Sequence, residues 1–292
     1  METTTINGTH LEVSAVGFGA MHLSIEGRPP HESALAVVHC VLDLGITLID
    51  TADSYCKDES DKHHNERLIR EALDTYEGDT TGLVVATKGG LMRHGGGWPR
   101  NGHPDHLRKT LRESVRALGG APIQLWQHHA PDPNHSIEAS LAPVREAVDE
   151  GLIEHVGVSN YSVEQIERAR ELVEVVSVQN QFSLWHRNPL QDGTLDYCDR
   201  EGLTFLPFRP LGGRRRAGGI ERYDELVELA GDRGVSPHRI ALAWLMAKSP
   251  VVLPIPGASR PETIEDSSKA FEVTLRDDEV RRLETSIDPG AA

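Results

Sequence analysis

Residues 46–50, ITLID, residues 65–76, NERLIREALDTY, and residues 83–88, LVVATK, read as a strand, a helix and a second strand. The outer two are short apolar runs without polar alternation, as expected of parallel strands covered on both faces. The middle one has apolar residues at helical spacing. The same unit recurs on both sides. VGFGAM (16–21) and ESALAVVHCVLDLG (32–45) precede it, and PDHLRKTLRESVRALG (104–119) follows. IQLWQHH (123–129) is then paired with SIEASLAPVREAVDEG (136–151), HVGVSN (155–160) with SVEQIERARELV (162–173), and VVSVQN (175–180) with NPLQDGTLDYCDREG (188–202). LTFLPF (203–208) precedes two helical segments, ERYDELVELAGDRG (221–234) and PHRIALAWLMAKS (237–249), and VVLPIPG (251–257) precedes RPETIEDSSKAF (260–271).

Eight β-then-α units in unbroken series close into an α/β (β/α)8 TIM barrel, and the spacing assigns residues 1–292 to a single domain. The Asn7–Gly8 pair between β-branched segments predicts a two-residue hairpin over Thr3–Val13, with positive φ at the turn. A doubly wound sheet would want GxGxxG after its first strand, and VGFGAMHLS has the first two glycines without the third.

Composition narrows the partners. Asp plus Glu outnumber Lys plus Arg by 45 to 30, a net charge of −15 that repels nucleic acid and acidic membrane surfaces and favours a small-molecule partner. Cys40, Cys56 and Cys198 show no CxxC pair and no zinc-like spacing, which fits a reducing cytoplasm. The N-terminal residues METTTINGTHLEVSAVG lack a leader pattern, and no stretch approaches the roughly 20 apolar residues of a membrane helix. The expected location is cytoplasmic. No residue pattern specifies an oligomeric state.

In a barrel of this kind, chemistry gathers at the carboxyl ends of the strands. Those ends hold Gly19 and Met21; Asp50 and Tyr55; Lys88; His128 and His129; Ser159 and Asn160; Gln179 and Asn180; Phe208 and Arg209; and Gly257, Ser259 and Arg260. Singly, each has an ordinary explanation as a cap, a solvated end or a packed histidine. Together, four strands in sequence deliver a carboxylate, a cation, an imidazole and a phenol to one mouth. An ammonium beside a phenol stabilises the phenolate, so Lys88 is expected to lower the Tyr55 pKa, with Asp50 holding the buried cation charged. A neutral imidazole can orient a carbonyl oxygen. The set is a proton donor for an oxygen gaining charge, as carbonyl reduction requires, and no side chain supplies hydride, so a cofactor must. Spacing alone leaves His128 and His129 open.

IDTADSY with NERLIREAL, VVATKGG, IQLWQHHAPDP, GLIEHVGVSNYS, VSVQNQFS, LPFRPLGG and VLPIPGASRPETIEDS resemble, in order and over nearly the whole chain, the strand-end motifs of the aldo-keto reductase superfamily. The resemblance implies a (β/α)8 barrel closed at the bottom by the N-terminal hairpin, and an NAD(P)H-dependent reductase of aldehydes or ketones. It implies a catalytic set of Asp50, Tyr55, Lys88 and His129, the histidine being chosen by the match of LWQHHAPD to the family pattern. It also implies that Ser159, Asn160 and Gln179 meet the nicotinamide carboxamide, that Phe208 stacks on the ring, and that Arg209, Pro210, Leu211, Gly212, Gly213 and Arg214 to Arg216 follow the pyrophosphate. Gly19, Met21, Asp50, Ile255 and Gly257 complete that wall, and Ser259 and Arg260 are the implied contacts of an adenosine 2′-phosphate. NADPH is therefore expected before NADH or dual use, although Ala258 and Asp266–Ser267 stand where many relatives carry Lys and Glu–Asn.

For the substrate, similarity to the loops of bacterial members implies Met21 and Trp98 as walls beside Tyr55 and His129. The charged segment 56–64 reads as a cover over the mouth or a solvated surface loop, and Asp53 as a turn residue. Two other classes compete: a cofactor-sensing regulatory subunit on a reductase scaffold, and a metal-dependent barrel hydrolase using Asp50, His128 and His129. For His63 and His64 beside Asp61, no complete ligand set is visible, so no metal is expected.

Overall fold

A computed structural model describes residues 1–289. Two short strands, β1 (Thr3–Thr5) and β2 (Glu12–Ser14), pair antiparallel with Thr3 opposite Ser14. The connection is wider than the two residues predicted. The Thr9 amide closes a turn on the Ile6 carbonyl at 3.1 Å, and the Ile6 amide then bonds the Leu11 carbonyl at 2.9 Å, leaving Thr9 and His10 outside the ladder. Gly8 alone in that turn has positive φ, 75°, so Asn7 is not forced into the left-handed region that a mirror-image hairpin turn demands.

Seven parallel strands follow in chain order: β3 (Phe18–Gly19), β4 (Leu48–Asp50), β5 (Val84–Gly89), β6 (Ile123–His128), β7 (Ile153–Ser159), β8 (Val175–Gln179) and β9 (Thr204–Phe205). The eighth position is occupied by residues 251–257 without a regular ladder. Bridges Phe205 to Val252 and Gly19 to Gly257 join it to both neighbours, and the amides of Gly17 and Gly19 donate to the Pro254 and Pro256 carbonyls at 2.9 and 3.0 Å. Pro254 and Pro256 have no N–H to return, so the segment closes the barrel mainly as an acceptor.

The helical layer comprises α1 (His31–Asp43), α2 (His64–Thr75), α3 (Pro104–Ala117), α4 (Ile137–Asp149), α5 (Val163–Arg170), α6 (Asn188–Gln191), α7 (Thr194–Glu201), α8 (Arg214–Ala217), α9 (Asp224–Arg233), α10 (Pro237–Met246), α11 (Pro261–Ser267) and α12 (Asp277–Ser286). Ser136, Ser162 and Ser236 start α4, α5 and α10 by accepting from the amides of Ala139, Gln165 and Arg239. Two features differ from the sequence reading. The segment 188–202 breaks into two helices at Gly193 (φ 78°), and α12 is an additional amphipathic helix whose Leu283 is buried.

Side chains alternate across the sheet and divide the core in two. Outward residues such as Trp126, Val156 and Val158 pack under the helices. Inward residues Leu48, Ala86, Leu125, Val176 and Leu253 fill the barrel together with Ile6, Leu11 and Val13, so the hairpin plugs one end. At the other end the same inward rows finish in Asp50, Lys88, Gln127, Ser159 and Gln179. A bulge in β8, where Val175 and Ser177 pair with consecutive residues Val156 and Gly157 of β7, keeps those rows in phase.

Gly157 is a tight point of the barrel interior. A Cβ there would collide with Ser177 Oγ and stand 2.9 Å from Gln127 Cγ. Gly157→Ala is expected to lower stability by about 1–3 kcal/mol through overpacking under Gln127, read as a fall in the urea midpoint. An unchanged midpoint would show that the interior yields there.

Candidate active site

Lys88, at the end of β5, has no solvent exposure. Its Nζ donates to Asp50 Oδ2 at 2.7 Å, to the Thr51 carbonyl at 2.8 Å and to the Tyr55 hydroxyl at 3.1 Å. Burial alone would push the ammonium toward losing its proton, but Asp50 and then Tyr55 outweigh it and the group titrates above the ordinary lysine value. Tyr55 is also held above its ordinary value. Burial is the largest cause, Lys88 opposes it, and Asp50 adds to it. The lysine's pull toward phenolate is thus present but overruled, contrary to the direction predicted from sequence, and the phenol keeps its proton.

Asp50 is held from a second side. Its Oδ1 accepts from Gln179 Nε2 at 2.8 Å and from Gln127 Nε2 at 3.3 Å, so the amide of Gln179, assigned from sequence to a cofactor, also orients the carboxylate. Gln127 is a site residue the sequence reading missed; its signal was the alternation that puts it inward between Leu125 and His129.

The two histidines separate as strand alternation requires. His129 lies edge-on to Tyr55 with ring centroids 5.8 Å apart, and burial, followed by Lys88, lowers its pKa well below the ordinary value, leaving a neutral imidazole. His128 faces the helical layer, where its Nδ1 meets the Tyr161 hydroxyl at 2.6 Å. Asp50 and His128 are on opposite faces of the sheet and cannot share an ion, which removes the hydrolase arrangement.

A cavity of about 870 Å³ opens above these groups. Met21, Trp98 and His129 bound one part, with Trp98 edge-on to Tyr55 at 6.1 Å. Gly19, Ser159, Asn160, Phe208 and Pro210 line the cavity as well, as do Ile255, Gly257, Ser259 and Arg260. Arg209, Leu211 and Arg214 also reach the wall. Of the residues expected there, Gly213 lines it as well, while Gly212, Arg215 and Arg216 do not; Gly212 turns (φ 72°) against Trp185 and Arg216. Asn160 and Arg209 hold φ of 61° and 51°, left-handed backbone in non-glycine residues that is over-represented at ligand sites. Asn160 Nδ2 bonds the His129 carbonyl at 3.0 Å.

A model of the Aldo/keto reductase family matches residues 15–288. The chain belongs to the aldo/keto reductase family. An uncharacterized oxidoreductase of Schizosaccharomyces pombe is 36% identical over 286 residues, covering 96% of this chain and 89% of the relative. The pyridoxine 4-dehydrogenase of Escherichia coli is 32% identical, covering 97% and 98%. The solved structure of a glycerol dehydrogenase from Gluconobacter oxydans superposes with a TM-score of 0.82 at 26% identity, covering 97% and 94%. The chain is therefore an NAD(P)H-dependent oxidoreductase on a (β/α)8 barrel. No helix among the described residues is long and apolar enough to cross a membrane.

In this aldo/keto reductase the segment after Tyr55 does not line the cavity; Lys57, Asp58 and Ser60 are exposed, whereas Cys56 and His63 are buried. Asp53 sits in a turn, as expected, but is fully buried, and its carboxylate meets Lys62 Nζ at 3.1 Å. His63 Nδ1 engages Glu66 Oε2 at 2.5 Å, His64 Nδ1 engages Ser24 Oγ at 2.8 Å, and Arg28 pairs with Asp61 at 2.6 Å. These contacts pin the segment against α2 and the loop before α1.

Burial raises the Asp53 pKa to about 6, with Lys62 opposing and Glu66 adding. The folded carboxyl thus holds its proton to higher pH than the unfolded one, and stability is lost as pH rises between roughly 4 and 6. Asp53→Asn removes that slope: relative to the variant, wild type should lose about 1–3 kcal/mol between pH 4 and 7, measured by urea unfolding at both. Parallel pH curves would sink the assignment.

Proposed function

We propose that this aldo/keto reductase reduces an aldehyde or ketone to the alcohol with NADPH, Tyr55 delivering the proton. The observation that carries the reading is the Tyr55 hydroxyl within 3.1 Å of a lysine whose charge Asp50 secures at 2.7 Å. A phenol that keeps its proton at rest and faces a fixed cation can release that proton when a neighbouring oxygen becomes anionic, because the phenolate formed is stabilised by the same cation. His129, neutral and edge-on to Tyr55, would hold the carbonyl oxygen by a hydrogen bond. Lys88 stays charged throughout.

A dinucleotide fits the cleft. Arg209, Arg214 and Arg260 line it and take no part in ion pairs among the described residues, whereas Arg28, Arg93, Arg233 and Arg239 are each paired with a carboxylate. Half-buried Phe208 offers a stacking face, and Asn160 with Ser159 offers amide and hydroxyl groups. A bound NADPH supplies the hydride. Arg209 and Arg214, with the backbone from Pro210 to Gly213, would hold the pyrophosphate, and Ser259 with Arg260 the 2′-phosphate. Asp266, also in the cavity lining, is occupied by Arg239 at 2.8 Å and by Ser236, which leaves Arg260 as the cation for that phosphate.

Tyr55→Phe should lower kcat by about 10²- to 10⁴-fold while NADPH affinity, followed by cofactor fluorescence, stays within experimental scatter; near-normal kcat would show that Tyr55 is not the acid. Arg260→Ala should reduce the ratio of kcat/KM with NADPH to that with NADH by about 10-fold or more, the scale of one charge-assisted phosphate contact. An unmoved ratio rejects the phosphate role.

A further inference from the structure

The loop after β5 is more ordered than its glycines suggest. Leu91 and Arg100 face each other across an antiparallel bridge, and His94 and Gly97 form a second, so residues 91–100 make a small hairpin at the barrel mouth. Arg93 fixes it from beneath. Only 4% exposed, its guanidinium donates to the carbonyls of Gly96 at 2.6 Å, Gly97 at 3.2 Å and Cys56 at 3.2 Å, and it pairs with Glu26. It also lies 4.0 Å from the Trp98 ring, and the Arg93 amide donates to Glu59 Oε1. Swinging the hairpin would strip a buried guanidinium of its partners, so the residues it displays are preorganised.

Toward the cavity that hairpin presents a gradient of polarity: Leu91 buried, Trp98 half-buried against Tyr55, and Arg100 exposed at the rim. Arg100 Nη1 donates to the carbonyl of Pro131, two residues beyond His129, at 3.1 Å. No carboxylate among the described residues pairs with it, although Arg108 and Arg112 on the following helix both reach glutamates. In barrel order β5 stands opposite β9, beyond whose end lies Arg209, while Arg214 reaches back toward Gly27 in the loop after β3. Arg100, on the hairpin after β5, is therefore a cation on a different loop from those suited to a dinucleotide.

We propose that residues 91–100 form an anion subsite, and that the substrate is an aldehyde or ketone bearing a carboxylate or phosphate a short apolar spacer from the carbonyl. The inference rests on the reduction reading of the same site. With the carbonyl at Tyr55 and His129, the spacer lies on Trp98 and Leu91, and the remaining guanidinium donors of Arg100 meet the anionic end in the planar geometry that suits both groups. In a chain of net charge −15, a rim cation without a carboxylate also draws such a substrate toward this face of the mouth.

The test compares matched pairs with NADPH: succinic semialdehyde against butanal, and glyceraldehyde phosphate against glyceraldehyde, for wild type and for Arg100→Gln. In wild type, kcat/KM for an acidic member should exceed that of its neutral match by about 10- to 100-fold, mostly through KM. The pair with the larger ratio tells carboxylate from phosphate. Arg100→Gln should bring that ratio to within about threefold of one. If wild type reduces neutral and acidic members equally well, or if the ratio survives Arg100→Gln, the subsite is overturned and the reductase reading stands. If no member is reduced by protein that still binds NADPH, both readings fall.

Discussion

The buried ammonium of Lys88 is the constraint around which the barrel mouth is arranged. An isolated ammonium in such a place would surrender its proton. It keeps it because Asp50, the Thr51 carbonyl and the Tyr55 hydroxyl occupy its three donors. Asp50 in turn is anchored by the amides of Gln127 and Gln179, so a single carboxylate ties together the ends of β4, β5, β6 and β8. Removing either partner of a buried pair costs about 3–5 kcal/mol in comparable cases. The geometry that positions Tyr55 is thus inseparable from the geometry that closes this end of the barrel.

The same strand ends also govern the layer outside. Alternation that sends Lys88 inward sends Thr87 outward, where its hydroxyl donates to the fully buried Glu66 at 2.5 Å. Glu66 stands in the first turn of α2 and also receives His63. The Asp53 amide, for its part, bonds the Lys88 carbonyl at 3.0 Å, and the Asp53 carbonyl accepts from the His63 amide at 2.8 Å. Two polar networks, one on each face of β5, therefore meet through one stretch of backbone. The segment 53–66 is held at both ends by the strand that carries the lysine, so its ends are packed while Lys57, Asp58 and Ser60 between them are exposed.

These networks mark the limit of what a linear reading can supply. The barrel was legible because strand and helix periods alternate without a break, and Asp50, Tyr55, Lys88 and the His128–His129 pair were legible as neighbours because parallel strands bring their carboxyl ends to one rim, the choice of His129 resting on the family resemblance. Direction could be read from alternation, which separates His128 from His129 once one of them is chosen. Partners could not. Asp53 and Asp50 look alike three residues apart in IDTADSY, and only the fold shows one facing Lys88 and the other sealed against Lys62. Arg93 sits among glycines that suggest slack, yet those glycines expose the carbonyls that bind its guanidinium. The eighth strand escaped regular pairing because of two prolines whose effect depends on which neighbour needs a donor.

The Tyr55 proton illustrates why sign mattered more than presence. Sequence places a cation beside the phenol, and that pair in isolation argues for a lowered pKa. In the folded chain the phenol is buried, and desolvation disfavours the phenolate by more than the lysine favours it. Had the lysine lowered the pKa below the ambient pH, the resting group would be an anion, which can accept a proton but not donate one. With burial prevailing, the proton is present at rest, and in the proposed reduction the lysine's contribution is reserved for the moment at which charge shifts. A donor for carbonyl reduction needs both halves of that balance. Burial keeps the proton on the phenol, and Lys88, held charged by Asp50, stabilises what remains when it leaves.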